Sequence, residues 1–171
     1  MPKALIIIAQ EGYQDKEYQG TRDGLEDAGN IIIIASKEVG SCSGSLGGSQ
    51  EATVALKDVQ VSDYDRIAFI GGPGAGALAS NADALKIAND AYRANMPLGA
   101  ICIAPTILAK AQVLDGKRAT VWNGDGKQSE VLETYGAEYT GEAVTIDGNI
   151  VTGNGPGAAE EFGKTLAELK I

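Results

Sequence analysis

The chain reads as an α/β protein in which a mostly parallel sheet is covered by helices on both faces. Three observations predict this. Aliphatic runs of strand length recur at Lys3–Ala9, Ile31–Ser36, Arg66–Ile70 and Leu98–Ile101, and a strand without polar alternation is one buried on both faces. Segments with helix-forming composition separate these runs by short joins. Of the 171 residues 44% are hydrophobic but only 5% aromatic, so the core is built from Ala, Ile, Val and Leu, as stacked helix and sheet layers are.

In chain order, Lys3–Ala9 predicts an interior parallel strand and Gln10–Lys16 a polar loop. Glu17–Ala28 carries helix formers and stops before Gly29, a C′ glycine. Asn30 leads into the second buried strand, Ile31–Ser36. The Gly/Ser-rich stretch Lys37–Gln50, with Cys42 inside it, predicts an exposed hairpin that rejoins the fold through Thr53–Leu56. Arg66–Ile70 is a third core strand and runs into Gly71-Gly72-Pro73-Gly74-Ala75-Gly76. Ser80-Asn81 caps a helix over Ala82–Asn95, with Leu85, Ala88, Ala91 and Tyr92 on its inward face.

The strand Leu98–Ile101 follows, then Cys102, then a helix over Ala104–Ala111 with Pro105 in the first turn, where proline is tolerated. Beyond the Asp115-Gly116 turn the sequence predicts a strand at Arg118–Trp122, a break at Gly124-Asp125-Gly126 and a short helix over Gln128–Tyr135 closed by Gly136. Val144–Asp147 and Asn149–Thr152 form a hairpin around Asp147-Gly148. Pro156 opens a last helix to Leu169, with Phe162, Leu166 and Leu169 inward. No repeat or linker divides the chain, so residues 1–171 are expected to form one domain with its site at the carboxyl ends of the strands.

Charge and composition remove whole classes of function. The formal net charge is -9 and the sequence pI is near 4.5; with no Lys/Arg cluster, such a surface repels a phosphate backbone, and nucleic acid is not an expected partner. No apolar run reaches bilayer length, so no membrane span is expected. Met1 leads straight into a strand without a signal-peptide pattern, and Cys42 and Cys102 lack C-x-x-C or metal-ligand spacing. The expectation is a cytoplasmic protein with free thiols and no metal site. The chain contains no histidine. Ser-His-Asp and Cys-His triads within the chain, His-ligated zinc and His general-base catalysis are therefore excluded, and chemistry falls to Cys, Glu, Asp, Lys, Tyr and the backbone.

Cys102 stands between a buried strand and the first turn of a helix, the position of a nucleophile elbow. The plain alternative is a small buried hydrophobe. Unpaired N–H groups at a helix start favour a thiolate, so Cys102 is expected to be the more acidic and more oxidisable cysteine. Cys42, in an exposed stretch with no expected donors, reads as incidental or as a thiol at a dimer edge.

The segment Gly72–Ala77 fits G-x-G-x-x-A, but a dinucleotide site also needs an acid at the end of the next strand. Here that strand ends in Cys102, and Asp90 lies mid-helix, so no nucleotide cofactor is expected. The glycine-loop amides and the Ile103 N–H are better placed as an oxyanion hole. Glu17 opens the helix after the first strand, at the same sheet edge as Cys102. It either complements the helix dipole or, protonated through burial, hydrogen-bonds the sulfur; Glu11 and Asp15 are competitors that precede the helix. Trp122 is either core or a pocket wall.

Several motifs together resemble the DJ-1/PfpI superfamily over essentially the whole chain. They are Ala4–Ala9 followed by an acidic loop with Glu17, Tyr64-Asp65-Arg66-Ile67-Ala68-Phe69-Ile70-Gly71-Gly72-Pro73-Gly74, Ala100-Ile101-Cys102-Ile103-Ala104-Pro105, Leu114–Thr120, and the late Asp147–Thr152 hairpin. The resemblance implies a flavodoxin-like, class I glutamine amidotransferase-like three-layer sandwich. It makes Cys102 the elbow cysteine and Glu17 its partner acid, with Gly72 and Ile103 as the oxyanion amides and Gly71, Pro73 and Trp122 around the pocket. It also implies self-association as a homodimer or larger oligomer.

Two departures narrow the activities that the family is associated with. PfpI-like members have histidine directly after the cysteine, where this chain has Ile103; DJ-1-like members often supply one from the following strand, where this chain has Trp122. A peptidase needs an acid for the leaving amine, so that reading is poor. Glyoxalase or deglycase chemistry needs only a thiol that adds to an aldehyde and an acid/base that moves a proton. The expectation is therefore a cofactor-free enzyme acting on small reactive aldehydes or their protein adducts, and the alternative is a non-catalytic cysteine-oxidation sensor or stress chaperone.

Overall fold

The computed structural model describes residues 1–170. In chain order its elements are β1 (Lys3–Ile7), β2 (Glu11–Tyr13), α1 (Asp15–Asp27), β3 (Ile31–Ser36), β4 (Gly40–Gly44), β5 (Ser49–Ala52), β6 (Val54–Ala55), β7 (Arg66–Phe69), α2 (Ala82–Arg93), β8 (Leu98–Ile101), α3 (Pro105–Lys110), β9 (Arg118–Ala119), α4 (Gln128–Thr134), β10 (Glu138–Tyr139), β11 (Val144–Asp147), β12 (Ile150–Gly153) and α5 (Ala159–Glu168). The main sheet has seven strands in the order β11-β12-β8-β7-β1-β3-β6. Every pairing in it is parallel except that of the edge strand β11 with β12.

Alternation along β1 divides the core in two. Leu5 and Ile7 pack with Ile87 and Ala88 of α2 and with Ile107 and Leu108 of α3. Ala4, Ile6 and Ile8 pack with Leu25 of α1 and with Phe162 and Leu166 of α5. Both faces of the sheet are thus covered, giving three layers. The unbroken aliphatic character of the run follows from this, since each buried Ile or Leu contributes about 1.5–3 kcal/mol over an exposed one.

The structure corrects the sequence reading in several places. Helix α1 begins at Asp15, not Glu17, because the Gln14 side chain caps it by accepting the Glu17 N–H at 2.9 Å. Glu11–Tyr13 is a strand rather than loop and pairs with β4. The stretch expected to be an exposed hairpin is an antiparallel pair, β4 and β5, but it closes into a small sheet with β2. Cys42 is consequently buried, 1% exposed, while Ser41 and Ser43 point outward. Period-two alternation along β4 puts the thiol inside. Cys42 also has a donor, the Gln10 amide at 3.6 Å, and its burial removes it from any dimer edge.

The strand expected at Arg118–Trp122 is short and lies outside the main sheet; among the described residues β9 pairs with β10 alone. Beyond it the Thr120 N–H donates to Thr152 Oγ1 at 2.9 Å and the Trp122 N–H to the Cys102 carbonyl at 2.8 Å, so these groups do not enter a ladder. Helix α2 turns Ala84, Ile87, Ala88 and Ala91 inward, leaving Leu85 half-buried and Tyr92 exposed at the edge of that stripe. A 3-10 turn at Pro156–Ala158 precedes α5, and Leu169 is its half-buried C-cap.

Candidate active site

Three strands deliver the site residues to one sheet edge, because parallel strands end on the same side. After β8 the chain reverses at Cys102, which adopts φ 64°. That left-handed conformation costs a residue with a Cβ roughly 1–2 kcal/mol, and the surrounding structure enforces it through both backbone groups. The Cys102 N–H donates to the Gly153 carbonyl at 2.9 Å, and its carbonyl accepts from Trp122 N at 2.8 Å. The end of β12 and the segment before Trp122 thus clamp the elbow.

Beside it, β7 runs out into Gly71 and Gly72. The Gly71 N–H donates to Glu17 Oε1 at 3.0 Å. A Cβ at Gly71 would stand 2.6 Å from Glu17 Oε1 and 2.6 Å from Cys102 Cβ. Only glycine leaves room for the acid and the cysteine to approach each other. Gly72 follows with φ +120°, which turns the backbone across the site at no side-chain cost. Gln14 ties this loop to α1 by donating its N–H to the Gly71 carbonyl at 2.9 Å while its side chain caps the helix.

Glu17 is 0% exposed, and its Oε2 makes no conventional hydrogen bond. Burial pushes the carboxyl up to about 7, opposed by hydrogen bonding to the Cys102 thiol and to the Gly71 amide. Burial also pushes the Cys102 thiol up to about 12, with the charge and hydrogen bond of Glu17 adding to the rise and the Ile103 and Gly72 amides opposing it. The expectation of an acidic Cys102 is overturned. Helix α3 is only 6 residues long, and two amides do not outweigh desolvation beside a carboxylate. Glu17 gives up its proton first, so the pair rests as carboxylate and thiol. Burial raises Cys42 as well.

A pocket of about 490 Å³ opens above this pair, within the usual range for small-molecule sites. Glu17, Gly72, Cys102 and Ile103 form its floor, and Pro73, Trp122 and Pro156 supply apolar wall. Trp122 is therefore wall rather than core and is 39% exposed. Gly71, expected in the pocket, lies beneath it: it is buried and holds Glu17 rather than lining the space. Glu11 is at the start of β2 and Asp15 accepts the Leu46 and Gly48 N–H groups at 3.0 and 2.7 Å, so neither competes for the thiol. A larger depression of about 730 Å³ between α1 and α5 is lined by Asp23, Asp27, Glu160 and Lys164 and holds neither cysteine.

Sequence reasoning missed Gln14, Gly76, Asp125, Gln128 and Pro156, which also line the pocket. Glutamine is not a preferred N-cap, so Gln14 carried no signal. Asp125 and Gln128 reach the site only because the chain after β9 folds back over the elbow. The break at Gly124-Asp125-Gly126 was the one visible mark of that return.

A three-layer, mostly parallel α/β sandwich with a strained elbow cysteine beside a buried glutamate defines a flavodoxin-like protein with a thiol site at its strand ends. The chain belongs to the DJ-1/PfpI family, whose family model matches residues 2–169. It is 33% identical to an uncharacterized protein of Methanocaldococcus jannaschii over 94% of this chain and 78% of that one. It is 29% identical to Deglycase PfpI of Pyrococcus furiosus over 91% of each. Among solved structures it is similar to Drosophila melanogaster DJ-1beta, with a TM-score of 0.87 at 28% identity, covering 98% of this chain and 89% of that one.

Proposed function

We propose that this chain is a cofactor-independent enzyme in which Cys102 adds to the carbonyl carbon of small reactive aldehydes or their adducts. The observation that carries the reading is the Glu17–Cys102 pair on the floor of an apolar pocket. A carboxyl with its pKa at about 7 is matched to proton transfer at neutral pH, and it removes the need for a histidine. Sulfur forms a bond to the aldehyde carbon as the C=O π bond breaks, and the thiol proton passes to Glu17. The Gly72 and Ile103 N–H groups, which already act on the sulfur, hold the new oxyanion.

For an α-oxoaldehyde, Glu17 returns that proton to the oxyanion, giving a hemithioacetal. The regenerated carboxylate then carries the proton of the former aldehyde carbon to the neighbouring carbonyl carbon as the hemithioacetal hydroxyl proton passes to that carbon's oxygen. The first carbon is oxidised and the second reduced, with no outside oxidant, and a thioester of the hydroxy acid results. Water cleaves it to release the acid and restore the thiol. The name of the Pyrococcus furiosus relative, a deglycase, supports the adduct side of this reading. The alternative, a non-catalytic cysteine-oxidation sensor, would use the same Glu17–Cys102 pair, since peroxide too reacts with the thiolate, and turnover separates the two. A homodimer or larger homo-oligomer and a cytoplasmic setting belong to the same proposal.

The test is methylglyoxal turnover, read as lactate, by wild type and Cys102→Ser. Turnover in wild type that the variant lacks is the expected result; equal rates would remove methylglyoxal as a substrate of this site.

A further inference from the structure

The outer half of the pocket has a charge pattern that the reaction itself does not require. Its acidic lining residues are Glu17 on the floor and Asp125 at the mouth, and no Lys or Arg lines it. Asp125 is exposed and held in place by its own turn: Oδ1 accepts the Lys127 N–H at 2.9 Å and Oδ2 accepts Gln128 Nε2 at 3.0 Å. These donors, led by the Lys127 amide, hold its carboxyl below the usual carboxylate range, so it is ionised wherever the protein is folded near neutral pH. They also engage one of the two Gln128 amide hydrogens on Asp125. Deeper in, the Gly72 and Ile103 amides face the sulfur. An anionic group entering the outer half therefore meets a fixed carboxylate, while the Lys127 ammonium, which lies near enough to favour the Asp125 charge, does not line the pocket.

Trp122 completes the pattern. Its indole lies against Gly124, where a Cβ would be 2.7 Å from Cζ2 and 2.9 Å from Cε2. The ring is thus fixed at the mouth beside Asp125, and an aromatic face next to a carboxylate attracts cations. Resting on the reading that Cys102 adds to carbonyl compounds, we propose that this outer half selects substrates by charge, admitting neutral or cationic carbonyl compounds and rejecting those with a carboxylate, sulfonate or phosphate. Asp125 is the specificity-determining residue.

The experiment separates charge selection from catalysis. Cys102 is modified with two methanethiosulfonates of similar length and opposite charge, the trimethylammonium-ethyl and sulfonato-ethyl reagents, and rates at Cys102 are read by mass mapping. The cationic reagent is expected to react at least about tenfold faster at low salt, with the ratio shrinking as salt is added. Asp125→Asn keeps an oxygen for the Lys127 amide and is expected to reduce the ratio about three- to fivefold, while Asp125→Glu retains it. A ratio unchanged in Asp125→Asn, or a faster anionic reagent in wild type, overturns the proposal. In parallel, turnover of phenylglyoxal is expected to exceed that of its anionic analogue 4-carboxyphenylglyoxal in wild type, and Asp125→Asn is expected to narrow the gap. Absence of phenylglyoxal turnover contradicts the catalytic reading alone, because the labelling ratio still decides charge selection.

Discussion

The Gly71 amide donates to Glu17 Oε1 at 3.0 Å, and the missing side chain of Gly71 is what lets Glu17 and Cys102 share one buried space. A Cβ there would meet both at 2.6 Å. Gly71→Ala is therefore expected to destabilise the fold by about 1–3 kcal/mol through overpacking, and to abolish turnover by separating the pair. Urea unfolding and the methylglyoxal assay check the two effects, and a variant with normal stability and activity would show that the approach is loose.

Glu17 makes stability depend on pH in a direction opposite to that of a salt-bridged acid. Its carboxyl is raised from 4.5 to about 7 in the folded chain, so the folded state binds the extra proton between those values. Stability is present in full below about 4.5 and is lost progressively as pH rises from there through about 7, a cost of roughly 3 kcal/mol at pH 8. Glu17→Gln escapes this cost. In a Cys102→Ser background, the advantage of Gln over Glu in urea unfolding should grow between pH 5 and pH 8.5. A constant difference would mean that the carboxyl is not desolvated.

Activity should follow the same ionisation. With Glu17 as proton acceptor, kcat/KM is expected to rise through about pH 7, where its carboxyl ionises, and Glu17→Gln should cost at least about a hundredfold. A pH-independent rate, or a Gln variant as active as wild type, would assign the proton to another group.

The strained backbone of Cys102, at φ 64°, gives a test free of its chemistry. Glycine ordinarily costs about 0.5–1 kcal/mol against alanine in regular structure, but here it relieves about 1–2 kcal/mol of left-handed strain. Thermal unfolding should place Cys102→Gly at or above Cys102→Ala. The reverse order would indicate that the elbow relaxes.

Trp122, the only tryptophan in the chain, reports the pocket directly. Gly124→Ala should push the indole off its seat, since a Cβ would stand 2.7 Å from the ring, and shift both the fluorescence maximum and the affinity for carbonyl ligands. Unchanged emission would mean that the ring does not rest on Gly124.

What the sequence disclosed and what it hid divide along physical lines. The aliphatic runs at β1, β3, β7 and β8, the Asp147-Gly148 hairpin and the elbow position of Cys102 were legible because local pattern alone determines them. Cys42 was misjudged because a Gly/Ser-rich composition looks like loop, whereas β4 and β5 pair and alternate. The strand expected at Arg118–Trp122 had the right residue types, but tertiary contacts from Thr152 and Cys102 took up its N–H groups. The acidity of Cys102 was misread for the same reason. A helix start is visible in sequence, but the desolvation that opposes it depends on everything packed above the sulfur.

The account stands on Glu17 and Cys102 acting as one coupled pair, and the pH dependence of iodoacetamide alkylation at Cys102, in wild type and Glu17→Gln, tests it most directly. Glu17 contributes to the rise of the thiol pKa to about 12, so wild-type alkylation should climb only at strongly alkaline pH, and the midpoint should fall when Glu17 loses its charge. A midpoint that stays where it was, or moves upward, would contradict the pair as described.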